Sequence, residues 1–334
     1  MRRASQLRLT SRNSDHNSRL MTLMRLKTHV LIGVLALLLV GPAVAQARTH
    51  VRVSIADQSP AMFDASAYRA LHLKTTRFFI RWDAIRYPAE IARADNYVRR
   101  ARAAHVRVLM HVSTNNFTPK RAHLPSVSEY RRTVGALVRH YRKLGVREWG
   151  AWNEVNHKTQ PTWRSPTRAA AFFKTMRRLC RGCTVVALDI LDQAGETRYI
   201  QRFYRALGSY RRFAHVVGIH NYSDTNRANH RGRGTRSIIN AVRRYNRHTQ
   251  FWLTETGGVV NFGRSFPCSE KRAATSVSRM FSLARSFRRY IKRLYVYNWT
   301  GSDCHGFDTG MTRVNGTLRP SYYRLRSALR SFLR

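Results

Sequence analysis

Acidic residues are scarce in this 334-residue chain: 17 Asp and Glu stand against 61 Lys and Arg, a formal net charge of +44. Other absences exclude whole chemistries. No G-x-S-x-G elbow is present, which argues against a serine hydrolase of the α/β-sheet type. No H-E-x-x-H motif is present either, which argues against that kind of zinc peptidase. No glycine-rich loop follows the first strand candidate, where the chain reads Ile55-Ala56-Asp57-Gln58, so a dinucleotide-binding sheet is disfavoured. Neither an aromatic-and-basic RNA motif nor a zinc finger occurs.

Long apolar runs are also missing, with one exception. Val30–Val40 holds eleven residues, apolar apart from Gly33, against the roughly 20 that a membrane-spanning helix needs. Basic residues precede it, Gly41-Pro42 ends it, and Ala43-Val44-Ala45 and Ala45-Gln46-Ala47 follow. That order predicts a secretory signal peptide over residues 1–47, with a membrane anchor as its rival and Met21 or Met24 as alternative starts. Cleavage near Ala45 or Ala47 leaves residues 48–334 with a charge of about +38. No Pro/Ser/Gly linker, fixed-period repeat or low-complexity block interrupts them, so one domain is expected.

A charge of that size suits contact with anionic material. The pairs Arg99-Arg100, Arg177-Arg178, Arg243-Arg244 and Arg288-Arg289 stand late in helical segments, where cations complement the helix dipole. A solvated basic shell, anchoring to an anionic cell envelope and an acidic substrate are the three readings. Four cysteines in a secreted chain imply two disulfides. Cys180-Arg-Gly-Cys183 suits a local bridge at a turn, which leaves Cys268 to pair with Cys304. No His stands at ligand spacing beside Cys180 or Cys183, so no metal is expected there.

Short β-branched or aromatic runs recur eight times: Val51–Ile55, Thr76–Trp82, Val106–Val112, Glu148–Trp152, Thr184–Leu188, His215–His220, Gln250–Thr254 and Arg293–Trp299. Amphipathic stretches lie between them, such as Pro88–Ala104, Val127–Leu144, Pro166–Leu179, Ile238–Arg247 and Glu270–Arg289, and Ser321–Leu333 closes the chain. Eight strand-helix units in one domain predict a single α/β (β/α)8 TIM barrel, with another α/β layer fold as the alternative. In such a barrel, chemistry gathers at the C-terminal strand ends.

Two of the few carboxylates fall there. The fourth strand runs into Trp152-Asn153-Glu154 and the seventh into Thr254-Glu255-Thr256. A glutamate ending an apolar, Trp-containing strand costs stability unless something satisfies it. Two carboxyls facing one another, one protonated and one ionised, suffice to cleave a glycosidic bond. The structural alternative is a surface residue at a strand terminus.

With Asn153-Glu154 after strand four and Glu255 after strand seven, the chain resembles glycoside hydrolase clan A, the retaining barrel enzymes that include families 5 and 39. The resemblance extends along nearly all of residues 48–334. It implies Glu154 as general acid/base, Glu255 as nucleophile and Asn153 as holder of the sugar 2-hydroxyl. It also implies Arg81 as hydrogen-bond partner of the nucleophile, Tyr222 as its orienter, His220 or His111 lining the sugar site, and Trp299 as an aromatic platform. Asp189, ending strand five, is left either to bind a sugar hydroxyl or to support Glu154. The activity implied is secreted, retaining hydrolysis of β-linked polysaccharide or oligosaccharide by a monomer, without cofactor. The rivals are a catalytically silent carbohydrate- or envelope-binding protein on the same scaffold, and a nucleic-acid binder driven by charge. The sequons at Asn221, Asn298 and Asn315 are read as chance occurrences, since two fall at strand ends.

Overall fold

Parallel strands alternate with long amphipathic helices throughout the computed structural model, which describes residues 51–332. The signal peptide expected over residues 1–47 lies outside the described residues. The strands are β1 (Arg52–Ala56), β2 (Thr75–Arg81), β3 (Arg107–Ser113), β4 (Glu148–Gly150), β5 (Thr184–Leu191), β6 (Val216–His220), β7 (Gln250–Thr256) and β8 (Ile291–Tyr297). They form a closed barrel in sequence order, and β8 pairs in parallel with β1 from Arg52↔Arg293 to Ala56↔Tyr297. The expected barrel is therefore the observed fold. No helix among the described residues is long and apolar enough to cross a membrane.

The longer helices are α1 (Pro88–Ala103), α2 (Val127–Lys143), α3 (Pro166–Leu179), α4 (Glu196–Leu207), α5 (Arg233–Arg243), α6 (Glu270–Ser286) and α7 (Pro320–Phe332). Local sequence sets their ends. Proline opens α1 and α3, where its fixed φ suits the first turn and its missing N–H costs nothing. Ser126 caps α2 by accepting from the Glu129 N–H while the Glu129 carboxylate accepts from the Ser126 N–H.

Alternation along each strand divides two cores. On β3, Val108, Met110 and Val112 join the large apolar layer between barrel and helices, whereas Leu109 belongs to a separate cluster with Ala56, Val186, Val216, Trp252 and Tyr295. This second cluster fills the lower barrel interior. Beneath it, Arg293 stacks 4.0 Å from the Trp252 ring and donates to both Glu148 oxygens, at 2.6 and 3.0 Å. One of the 16 carboxylates after residue 47 is thus used to neutralise a cation in the barrel floor. The upper interior is polar, and it holds the site.

Both expected disulfides are present, Cys180–Cys183 and Cys268–Cys304. The second ties the segment after β7 to the segment after β8, beside the backbone bridge Asn261↔Asp308.

Candidate active site

Arg77, midway along β2, is fully buried inside the barrel, where an uncompensated charge would be prohibitively costly. Its guanidinium is the hub of the site. One Nη donates to Glu255 Oε2 at 2.8 Å, the other donates to Asn153 Oδ1, and Nε donates to His111 Nδ1 at 3.0 Å. Asp189 lies at 3.4 Å. Burial pulls the guanidinium pKa down, but the charges of Glu255, Asp189 and Glu154 more than offset it and raise the pKa.

His220, at the end of β6, bridges two carboxylates. Its Nε2 lies 2.9 Å from Asp189 Oδ2, its Nδ1 lies 3.1 Å from Glu154 Oε1, and Glu255 Oε2 is 3.6 Å from the same Nδ1. Burial disfavours the imidazolium, yet Asp189 and Glu255, helped by the two hydrogen bonds, push its pKa up to about 10. Asp189 is itself buried, but His220, His111 and Arg77 hold it well below the usual carboxylate range. His111 is the converse: burial drives its pKa down to about 3, so the ring is neutral and its Nδ1 is free to accept from Arg77.

Two glycines make room for this layer. A Cβ on Gly150 of β4 would stand 1.8 Å from the His111 ring, and one on Gly218 of β6 would stand 2.0 Å from Asp189 Oδ1. Thr254 of β7 donates its hydroxyl to that same Asp189 oxygen, fixing the carboxylate from the far side.

Above the layer stand the two glutamates. Glu255 receives Arg77 on Oε2 and the Tyr222 hydroxyl on Oε1, at 2.9 Å. Glu154 follows the short β4 in a left-handed backbone conformation, φ 42°, that a side chain adopts only at an energetic cost. The turn is held by Asn153 N–H donating to Val112 O and Val155 N–H donating to Asp189 O. Burial pushes the Glu154 carboxyl up, but the hydrogen bond and charge of His220, with His157 nearby, leave it below its ordinary value. An oxygen of Glu154 and an oxygen of Glu255 come within 4.8 Å of each other. Retaining glycosidases hold their carboxyl groups roughly 5–5.5 Å apart, inverting ones about 6.5–9.5 Å. The two side chains share a cleft of about 540 Å³ with Asn153, Tyr222, Tyr297 and His157. Phenylalanines also line it, among them Phe79, Phe117, Phe262 and Phe307.

Those three side chains, Glu154, His220 and Glu255, also have spacing that would suit a metal ion. Their bonding argues for protons instead. The raised pKa keeps protons on both His220 nitrogens, and the Arg77 charge already sits against Glu255.

Several expected positions change. Arg81 does not touch Glu255; at the strand end its side chain turns to the rim, making a double ion pair with Asp83 at 2.6 and 3.0 Å and stacking on Tyr87. Arg77, four residues earlier on the same strand face, makes the contact expected of Arg81. Trp299 is no platform: its ring packs edge-on against Tyr68 and Tyr322 in the outer layer, and Tyr297 lines the cleft instead. Neither His111 nor His220 lines the cleft: both are fully buried beneath it, His111 with its Nδ1 taken by Arg77 and His220 between Asp189 and Glu154. Asn153, Glu154, His220, Tyr222 and Glu255 are brought together. Asp189 is joined to Glu154 through His220, whose two nitrogens lie 2.9 Å from Asp189 and 3.1 Å from Glu154. Arg77 is the site residue absent from the sequence reading, and its signal is a lone cation within the otherwise apolar or hydroxyl-bearing run Thr75–Ile80.

No protein-family model matches the chain, and no curated protein matches it. Solved structures do. A glucosidase from Croceicoccus marinus superposes with a TM-score of 0.65 at 14% identity, covering 85% of this chain and 66% of its own. A family 39 glycoside hydrolase from Bacteroides cellulosilyticus WH2 gives 0.58 at 15% identity, covering 84% of this chain and 64% of its own. The chain therefore spans just under two thirds of both. Xylanase 10B from Thermotoga maritima gives 0.59 at 13% identity, covering 85% of this chain and 96% of its own. At these identities the likeness establishes the barrel fold, shared with family 39 and family 10 glycoside hydrolases.

Proposed function

We propose that the protein is a retaining glycoside hydrolase, with Glu255 as nucleophile and Glu154 as general acid/base. One observation carries the reading: two glutamates from strands four and seven approach within 4.8 Å over one cleft, in different electrostatic settings. Glu255 is held by Arg77 on one oxygen and Tyr222 on the other, two donors that fix its orientation for attack. Glu154 is linked to a proton carrier.

In the first half-reaction Glu255 attacks the anomeric carbon, and the bond to the departing oxygen breaks as Glu154 protonates that oxygen. In the second, Glu154 takes a proton from water, whose oxygen displaces Glu255 and frees the sugar. The lowered carboxyl pKa of Glu154 runs against an acid's role, but its cause is the His220 imidazolium itself. The proton resides on the His220–Glu154 pair and moves to Glu154 as charge builds on the leaving oxygen. Asp189 keeps His220 charged and oriented.

The substrate we infer is a β-linked glycan, and the site of action is outside the cell. Two disulfides and the expected signal peptide support the location. The cleft aromatics can take sugar faces. Release of reducing ends from a panel of β-glucans, mannans, xylans and bacterial exopolysaccharides tests activity, with Glu255→Gln as control. Turnover by wild type and none by a folded Glu255→Gln supports the assignment; equal turnover by both removes Glu255 from the nucleophile role.

A further inference from the structure

The few acids of this chain are not spread evenly over the barrel. Helix-to-strand junctions build the face opposite the catalytic cleft, and seven of them connect the described elements: residues 69–75, 99–107, 139–148, 177–184, 205–216, 243–250 and 285–293. Together they carry 24 Arg and Lys and a single acid, Glu148, which Arg293 already neutralises. Among the described residues, Arg99, Arg100 and Arg293 are the cations of this set that lie within 4.0 Å of a carboxylate.

Helix dipoles explain part of this, since a cation in the last turn is favoured by about 0.3–1 kcal/mol. They do not explain the cations past the helix ends. Arg107, Arg147, Arg181, Arg247 and Lys292 stand beyond the last helical turn or within strand starts, where the dipole has faded. Mutual repulsion among so many like charges costs stability unless a counter-charge is supplied.

The face is also shaped. Between the ends of α5 and α6 lies a hollow of about 360 Å³, lined by Arg243, Arg247, His248, Arg289, Tyr290 and Lys292, with no carboxylate. The guanidiniums of Arg243 and Arg289 are gathered over the Tyr290 ring, at 4.8 and 5.9 Å, and Arg243 is braced by donating to Arg247 O. A second hollow of about 460 Å³ shares His248 and Gln250 with the first and adds Arg177. Cations thus line a continuous depression rather than scattered points.

We propose that this face binds a linear polymer of closely spaced phosphates, docking the protein with its catalytic cleft directed away from the polymer. Arginine forks bind phosphate oxygens two at a time, and two of them converge on one hollow. A bilayer surface fits less well: none of the exposed large apolar side chains, such as Phe117, Trp163, Phe262 or Tyr323, lies in these junctions, so nothing would enter the acyl layer. This binding is independent of the glycosidase assignment.

The test is calorimetric titration of the whole protein with linear inorganic polyphosphate at several salt concentrations. Polygalacturonate and phosphatidylglycerol vesicles are the comparison ligands. Polyphosphate should bind most tightly, weakening steeply as salt rises. Arg243→Gln, Arg289→Gln and Lys292→Gln combined should lower affinity at least tenfold and reduce the salt slope by roughly three. A second triple at exposed Arg244, Arg247 and Arg288 should do the same if the first fails to fold. A triple of equal charge change on the cleft side, Lys120, Arg121 and Arg264 to Gln, should lower affinity less than twofold. Equal losses in basal and cleft-side triples, or tighter binding of polygalacturonate or vesicles than of polyphosphate, would overturn the proposal.

Discussion

His220 presents Nδ1 to Glu154 at 3.1 Å while Asp189 lies 2.9 Å from its other nitrogen, so one buried imidazolium links Glu154, the proposed acid/base, to an aspartate held well below the usual carboxylate range. Removing it should expose what it does. In His220→Gln the alkaline limb of kcat/KM should move to lower pH, because Glu154 then holds its proton without a reservoir. An unchanged limb in the variant would show that Glu154 titrates independently of His220.

The same group ties stability to pH. His220 titrates near 6.5 when unfolded and at about 10 in the folded protein, so its contribution is fully present below pH 6.5 and is lost as pH rises toward 10. Urea midpoints should fall across that window for the wild type more steeply than for His220→Gln.

Arg77 and Arg81 should separate cleanly. Arg77→Met strands two buried carboxylates, Asp189 and Glu255, and breaking a buried pair costs about 3–5 kcal/mol. Arg81→Ala breaks a rim ion pair worth about 0–1 kcal/mol and should leave turnover unchanged. Denaturant titration of both variants checks the ranking.

The two arginines also show what could be read from sequence. Strand rhythm located the barrel, and the C-terminal ends of strands pointed to Glu154, Glu255, His220 and Tyr222. Pattern alone does not say how far a strand's last side chain rises above the barrel mouth. Arg81 is already on the rim, where Asp83 captures it, and Arg77, two pleat repeats deeper, reaches Glu255. Trp299 was misread for a related reason: the chain leaves β8 at Tyr297, so the ring two residues later belongs to the outer layer. Asp189 joins the site only through contacts with His220 and Thr254, which are distant in sequence.

Gly218→Ala should be costly despite its small size. The added methyl would meet Asp189 Oδ1 and the Thr254 hydroxyl, whose mutual hydrogen bond must then break. A loss of about 1–3 kcal/mol is expected from overpacking. Turnover should fall with it, because Asp189 no longer holds His220. A fully active, equally stable alanine variant would show that the carboxylate can relocate freely.

Cys268 and Cys304 close a loop across a sequence separation of 36. Replacing both with Ser should cost about 3–4 kcal/mol by loop entropy. It should also raise KM more than it lowers kcat, since Phe262 and Phe307 on the stapled segments line the cleft while the glutamates do not depend on the bridge.

The most direct measurement is the configuration of the first sugar released from a cleaved β-glycoside, followed by proton NMR before mutarotation. Carboxyl oxygens within 4.8 Å of each other fit the shorter separation of retaining enzymes, so the product should appear first as the β anomer. Initial release of the α anomer would contradict the account.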